Sequence, residues 1–107
     1  MTGAYSFRCQ FNSTEALARR LNEISAWKWG VGDSHWYGDY GVARPWPGVR
    51  IRIIDFPKSD GVGWIYDSDI RIDKKLCPVT EAEIDSAYRA LLAQIPADEI
   101  KEIESFD

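Results

Sequence analysis

From Val62 to Ile72 apolar residues occupy every second position, as Val62, Trp64, Tyr66, Ile70 and Ile72, and only Ser68 breaks the row. The odd positions carry Asp67, Asp69, Arg71 and Asp73. Successive side chains of an extended chain point to opposite faces, so this spacing demands a strand with one buried and one wet face. Strands of an all-parallel sheet are covered on both sides, whereas an antiparallel sheet tolerates water on one. The chain is therefore expected to form an antiparallel sheet with a second layer on its apolar side.

The other segments supply the partners. Residues 4 to 11 alternate, with Tyr5, Phe7, Cys9 and Phe11 on one face, and Val49 to Phe56 alternates until its apolar parity flips from Ile53 to Ile54 and Phe56. Such a flip signals a bulge or burial on both faces. Pro57-Lys58-Ser59-Asp60-Gly61 reads as the turn joining this strand to the next. Two stretches have helical spacing instead. Leu17, Leu21 and Ile24 follow a cap expected at Asn12, with Glu15 three positions on and a helix running to about Ala26. Ile84, Ala87, Tyr88, Leu91, Leu92 and Ile95 follow Thr80-Glu81-Ala82-Glu83, a capping box that Val79 and Ile84 extend as a hydrophobic staple, and Pro96 ends the run. Beyond it Ile100, Ile103 and Phe106 are spaced for a short acidic terminal helix.

Between the first helix and the Val49 strand lies a segment of different composition. Trp27, Trp29, Trp36, Tyr37, Tyr40 and Trp46 are interleaved with Gly30, Gly32, Gly38, Gly41 and Gly48. Alternation of Trp27, Trp29 and Val31 predicts a short strand, and Gly32-Asp33-Ser34 reads as a turn into a second. The whole is a single α+β domain over residues 1 to 107: an antiparallel sheet of three to five strands with two main helices on one face and a short C-terminal helix. A ferredoxin-like order is a near neighbour, set aside because the last segment reads as helix where that fold has a strand.

At 107 residues the chain has room for one core, burying roughly 65% of the surface of its unfolded form without a metal or disulfide staple. No cofactor is needed to explain folding. Cys9 and Cys77 form no CxxC pattern and are expected as reduced thiols in a cytoplasmic protein, since neither a signal-peptide layout nor an 18-residue apolar run is present. The single histidine rules out a multi-histidine metal site within one chain. Net charge is −4, unevenly spread: residues 1 to 58 hold eight Lys/Arg against five Asp/Glu, and residues 59 to 107 hold five against twelve. That balance argues against duplex DNA and anionic membranes, which require clustered cations, and favours a basic partner.

Catalytic chemistry has little support. Asp33, Ser34, His35 and Asp39 are the only cluster that suggests it, yet adjacent residues of a strand or turn point apart, which is not how a nucleophile meets its base. Asp60, Asp67, Asp69 and Asp73 lack the loop spacing of a calcium site and read as a solvated strand face, with an acidic docking surface as the other reading. Packing under a glycine-rich hairpin accounts for most of the six aromatics, but Trp36, Tyr37 and Tyr40 stand beside Asp33 and Asp39, a combination typical of interface anchors. The expectation is a non-enzymatic protein-binding module, most concretely an immunity or inhibitor protein that neutralises a basic toxin, such as a nuclease, by direct binding. Its expected contact residues are Trp36, Tyr37, Asp39, Tyr40, Asp60, Asp67 and Asp69. The alternative is a carbohydrate or small-molecule site in which Trp36, Tyr37, Tyr40 and Trp46 form a stacking platform.

Overall fold

The computed structural model describes residues 2–34, 38–59 and 63–103. In chain order the elements are β1 (Thr2–Cys9), α1 (Thr14–Ile24), β2 (Trp29–Ser34), β3 (Gly38–Ala43), β4 (Val49–Ser59), β5 (Trp64–Ile72), α2 (Glu81–Gln94) and β6 (Asp98–Glu102). The six strands form one sheet in the order β2-β3-β4-β5-β1-β6, and every neighbouring pair is antiparallel. The α+β class is as expected, with one strand more than the upper expectation and no C-terminal helix among the described residues. Within the sheet, β4, β5, β1 and β6 have the ferredoxin-like arrangement, extended at one edge by the β2–β3 hairpin.

The terminal segment is a strand for a physical reason. Its helical signal rests on three apolar residues over a few turns, whereas β1 offers an unpaired edge. Pairing there satisfies backbone groups along β1, as in Tyr5 opposite Glu102 and Ser6 opposite Lys101, and the Ile103 N–H continues it by donating to the Ala4 carbonyl at 3.0 Å. One extra residue on β6 slips the register between Ser6 and Arg8. Ile100 still reaches the core.

Both helices pack on the face that carries Tyr5, Phe7, Ile51, Ile53, Tyr66 and Ile70. Leu17 and Leu21 from α1 and Ile84, Tyr88, Leu91 and Leu92 from α2 complete the core with Ile95. The α1 cap is Ser13 rather than Asn12. Ser13 is extended and accepts the Ala16 N–H on Oγ at 3.2 Å, so the helix begins at Thr14, and it ends at Ile24, two residues early, because Ser25 is extended. The α2 cap is as expected, with Thr80 Oγ1 accepting the Glu83 N–H at 3.2 Å. Ser68, the break in the apolar row, is fully buried under α2. Its hydroxyl donates to the Arg52 carbonyl at 2.8 Å, leaving the Tyr88 hydroxyl to donate to Ser68 Oγ at 2.5 Å. A polar residue is placed there because a buried tyrosine hydroxyl needs a partner.

The aromatic segment holds two paired antiparallel strands, but Gly32-Asp33-Ser34, expected as a turn, belongs to β2. Asn22 on α1 anchors it: its amide donates to the Trp29 carbonyl at 2.9 Å and its oxygen accepts the Trp29 N–H at 2.7 Å. Trp29 is buried, Trp27 and Trp46 meet edge to face at 5.5 Å, and both pack against the core. The Pro57-Lys58-Ser59 cluster, expected as turn, is the end of β4, with Lys58 opposite Ile65. The parity flip at Ile54 has both anticipated causes: Ile53 and Ile54 are each buried, and the β4–β5 register slips between Ile54 and Lys58.

Candidate functional site

The face of the sheet opposite the helices carries residues from every strand except β6's apolar positions, and its two ends differ in chemistry. Register builds the first end. Tyr40 lies opposite Ile54, Ile54 opposite Asp67, and Asp67 opposite Ser6, so one row crosses β3, β4, β5 and β1. Tyr40 and Asp67, both half-buried, flank the buried Ile54. On its other side Tyr40 faces Gly32 of β2, and a Cβ there would lie 2.4 Å from Tyr40 Cζ. The glycine is what allows the ring to lie across the edge strand.

The strand ends flanking residues 35–37 and 60–62 lie at this same end of the sheet, since β3 and β4 are antiparallel with Tyr40 opposite Ile54. Asp39 pairs in register with Asp33. Of the expected contact residues, register therefore brings Asp39, Tyr40 and Asp67 to one end, and Trp36, Tyr37 and Asp60 lie outside the described residues, as does His35.

Asp69 is a correction. It is 0% exposed, and its carboxylate takes a two-pronged contact from Arg52, with Nε to Oδ1 at 3.0 Å and Nη2 to Oδ2 at 2.6 Å. Arg71 Nε stands 3.9 Å from Oδ2. Alternation correctly sends Asp69 to the helix-free face, but Arg52 sits directly across the ladder and the pair closes over itself. The expected solvated acidic row fails at this position. Asp73 is exposed, with Oδ1 accepting the Lys75 N–H at 3.1 Å.

The stacking platform is also corrected. Tyr40 is at the hairpin-turn end, whereas Trp46 lies beyond the other end of β3 against Trp27. The two rings do not share a surface.

At that other end is a feature the sequence reading missed. Arg50 lies directly opposite Arg71, Arg52 is two residues on, and Arg44 follows β3 beside them. The signal was present in Val49-Arg50-Ile51-Arg52-Ile53, whose alternation puts both arginines on one face, but only the register adds Arg71 to them. Arg44, Arg50 and Arg71 line a cleft of ≈ 700 Å³ walled by Pro45, Trp46 and Pro47.

Among the described residues no group of three or more His, Cys, Asp or Glu side chains is placed to hold a metal ion, and no helix is long and apolar enough to cross a membrane. Cys9 is buried, Cys77 is half-buried, and neither is in a disulfide. No family model, curated protein or solved structure matches this chain.

Proposed function

We propose that this chain is a non-enzymatic protein-binding module, an immunity- or inhibitor-type protein that neutralises a basic toxin by direct binding at the hairpin-turn end of its sheet. The observation that carries the reading is the row holding Tyr40 and Asp67 on the helix-free face, with the Asp33–Asp39 rung at the same end. Residues 33–40 and 55–67 contain five aspartates, Asp33, Asp39, Asp55, Asp60 and Asp67, against one lysine, Lys58. They also contain Trp36, Tyr37 and Tyr40. Aromatic anchors among carboxylates suit a partner whose own groove is positive, as a nuclease's must be to hold phosphates.

The arginines at the opposite end do not cancel this attraction. Arg50 and Ile54 are four residues apart on one strand, roughly 13 Å, which exceeds the screening length of about 8 Å at physiological ionic strength. Each end therefore presents its own sign of charge to an approaching protein. The test is co-purification of the tagged chain with candidate basic toxins encoded beside it. A complex that weakens as salt rises supports the reading, and no complex at micromolar concentration in low salt removes it.

A further inference from the structure

The two edges of the sheet differ in how far they are protected. Along β6 the edge is blunted by Asp98, Glu99, Lys101 and Glu102 and by the register slip against β1, both of which discourage pairing with another chain. Along β2 the rungs to β3 run from Trp29 to Ser34 without a break, and Gly30, Val31 and Gly32 carry no charge. Among the described residues no strand pairs with the outer side of β2. Val31 is exposed, and a Cβ at Gly30 would meet no atom within 4 Å.

Asn22 shows which backbone groups face outward. In an antiparallel strand the N–H and C=O of one residue point to the same side, and those of the next residue point to the other. The Asn22 side chain takes both groups of Trp29, at 2.7 and 2.9 Å, so Trp29 is turned away from β3, and with it Val31 and Asp33. Gly30, Gly32 and Ser34 hold the ladder to β3. Asn22 thus stands in for a neighbouring strand at Trp29, and the open pairing groups of this edge are those of Val31 and Asp33.

We propose that the β2 edge pairs with the β2 edge of a second copy, antiparallel about a two-fold axis at Gly32, so that Val31 of each copy exchanges both hydrogen bonds with Asp33 of the other. The open groups are self-complementary, because they lie one residue to either side of Gly32. At the axis the two Gly32 residues form a non-hydrogen-bonded pair, the closest backbone approach in a ladder at about 4.5 Å between Cα atoms, and neither has a side chain. Charge favours the same arrangement. Lys28 and Arg44 flank the Trp29–Ala43 rung, while Asp33 and Asp39 form a rung toward the other end. Antiparallel pairing lays the cationic end of each strand pair along the acidic end of the other. Since the β6 edge is blunted, the assembly closes at two copies rather than growing into a fibre. The dimer does not depend on the toxin-binding reading, so either can fail alone.

The experiment is analytical ultracentrifugation of the intact chain over a concentration series, with NMR amide exchange at Val31 and Asp33. The interface is small, so a dimer with a dissociation constant on the order of 100 μM is expected, and protection of both amides should rise with concentration. Val31→Pro removes an outward N–H that the ladder to β3 does not use, and is expected to be folded and monomeric. Val31→Asp is expected to weaken the dimer about tenfold more than Val31→Lys, since one places a like charge and the other an opposite charge across from Asp33 on two rungs. That comparison stands if Val31→Pro does not fold. A monomer at roughly 1 mM overturns the proposal. Protected amides in that monomer would mean that the chain covers its own edge, and freely exchanging ones that the edge is left to a foreign strand. A dimer that persists in Val31→Pro overturns the location, and equal effects of Val31→Asp and Val31→Lys overturn the register.

Discussion

The ring of Tyr40 lies across Gly32, its direct partner in the β2–β3 ladder, so closely that no side chain fits between them. That contact fixes an aromatic group at the edge of the helix-free face. Gly32→Ala should leave the sheet folded, because Gly32 lies on an edge strand and on the face away from the core residue Trp29, while displacing the Tyr40 ring. Ring proton shifts of Tyr40, measured by NMR, are expected to change while far-UV circular dichroism does not. An unshifted Tyr40 in the folded variant would show that the glycine has no such role.

Arg52 and Asp69 form a buried pair, and removing one partner leaves the other's charge uncompensated. Asp69→Asn or Arg52→Met should cost about 3–5 kcal/mol in urea unfolding. The double change Arg52→Met with Asp69→Leu should cost much less than the two single costs added, because no unpaired charge remains. Additive costs would mean that the two side chains contribute independently.

This pair also marks where the sequence stopped being legible. Periods of two and of about 3.6 residues located the four longest elements and the hairpin, and Ser68 stood out as the one polar break in an apolar row. Alternation placed Asp69 on the right face. What alternation cannot supply is register, and register alone puts Arg52 across from Asp69, Arg50 across from Arg71, and Tyr40 in line with Asp67. The C-terminal strand was missed for a related reason, since its local pattern is too short to choose a period and the free edge of β1 decided it.

Tyr88 gives the pH dependence. Burial raises its pKa above the ordinary value of 10.0, so the folded state holds the phenol proton more tightly than the unfolded chain. Stability from this group is full below pH 10 and falls as pH rises toward the folded-state value, by about 1.4 kcal/mol per pH unit. Tyr88→Phe should cost about 1 kcal/mol near neutrality and then flatten the alkaline decline relative to the wild type. Parallel stability curves above pH 10 would contradict this.

The two thiols should react in order. Cys9 is buried and its thiol pKa is raised chiefly by that burial, whereas Cys77 is half-buried, with Sγ donating to the Val79 carbonyl at 3.3 Å. Iodoacetamide at neutral pH is expected to label Cys77 in the native protein and Cys9 only on unfolding. Equal native rates, read by mass spectrometry of the peptides, would show that β1 opens readily.

Binding kinetics with a basic toxin encoded beside this chain test the central claim most directly, comparing wild type, Tyr40→Ala, Asp67→Asn and Arg44→Gln by biolayer interferometry at low and high salt. Tyr40→Ala should accelerate dissociation, since losing a desolvated anchor costs about 2 kcal/mol or more. Asp67→Asn should slow association and flatten its salt dependence, and Arg44→Gln, at the other end of the face, should leave dissociation unchanged. A complex indifferent to Tyr40 and Asp67 but lost with Arg44 would contradict the account, because the partner would then be engaged by the arginine end.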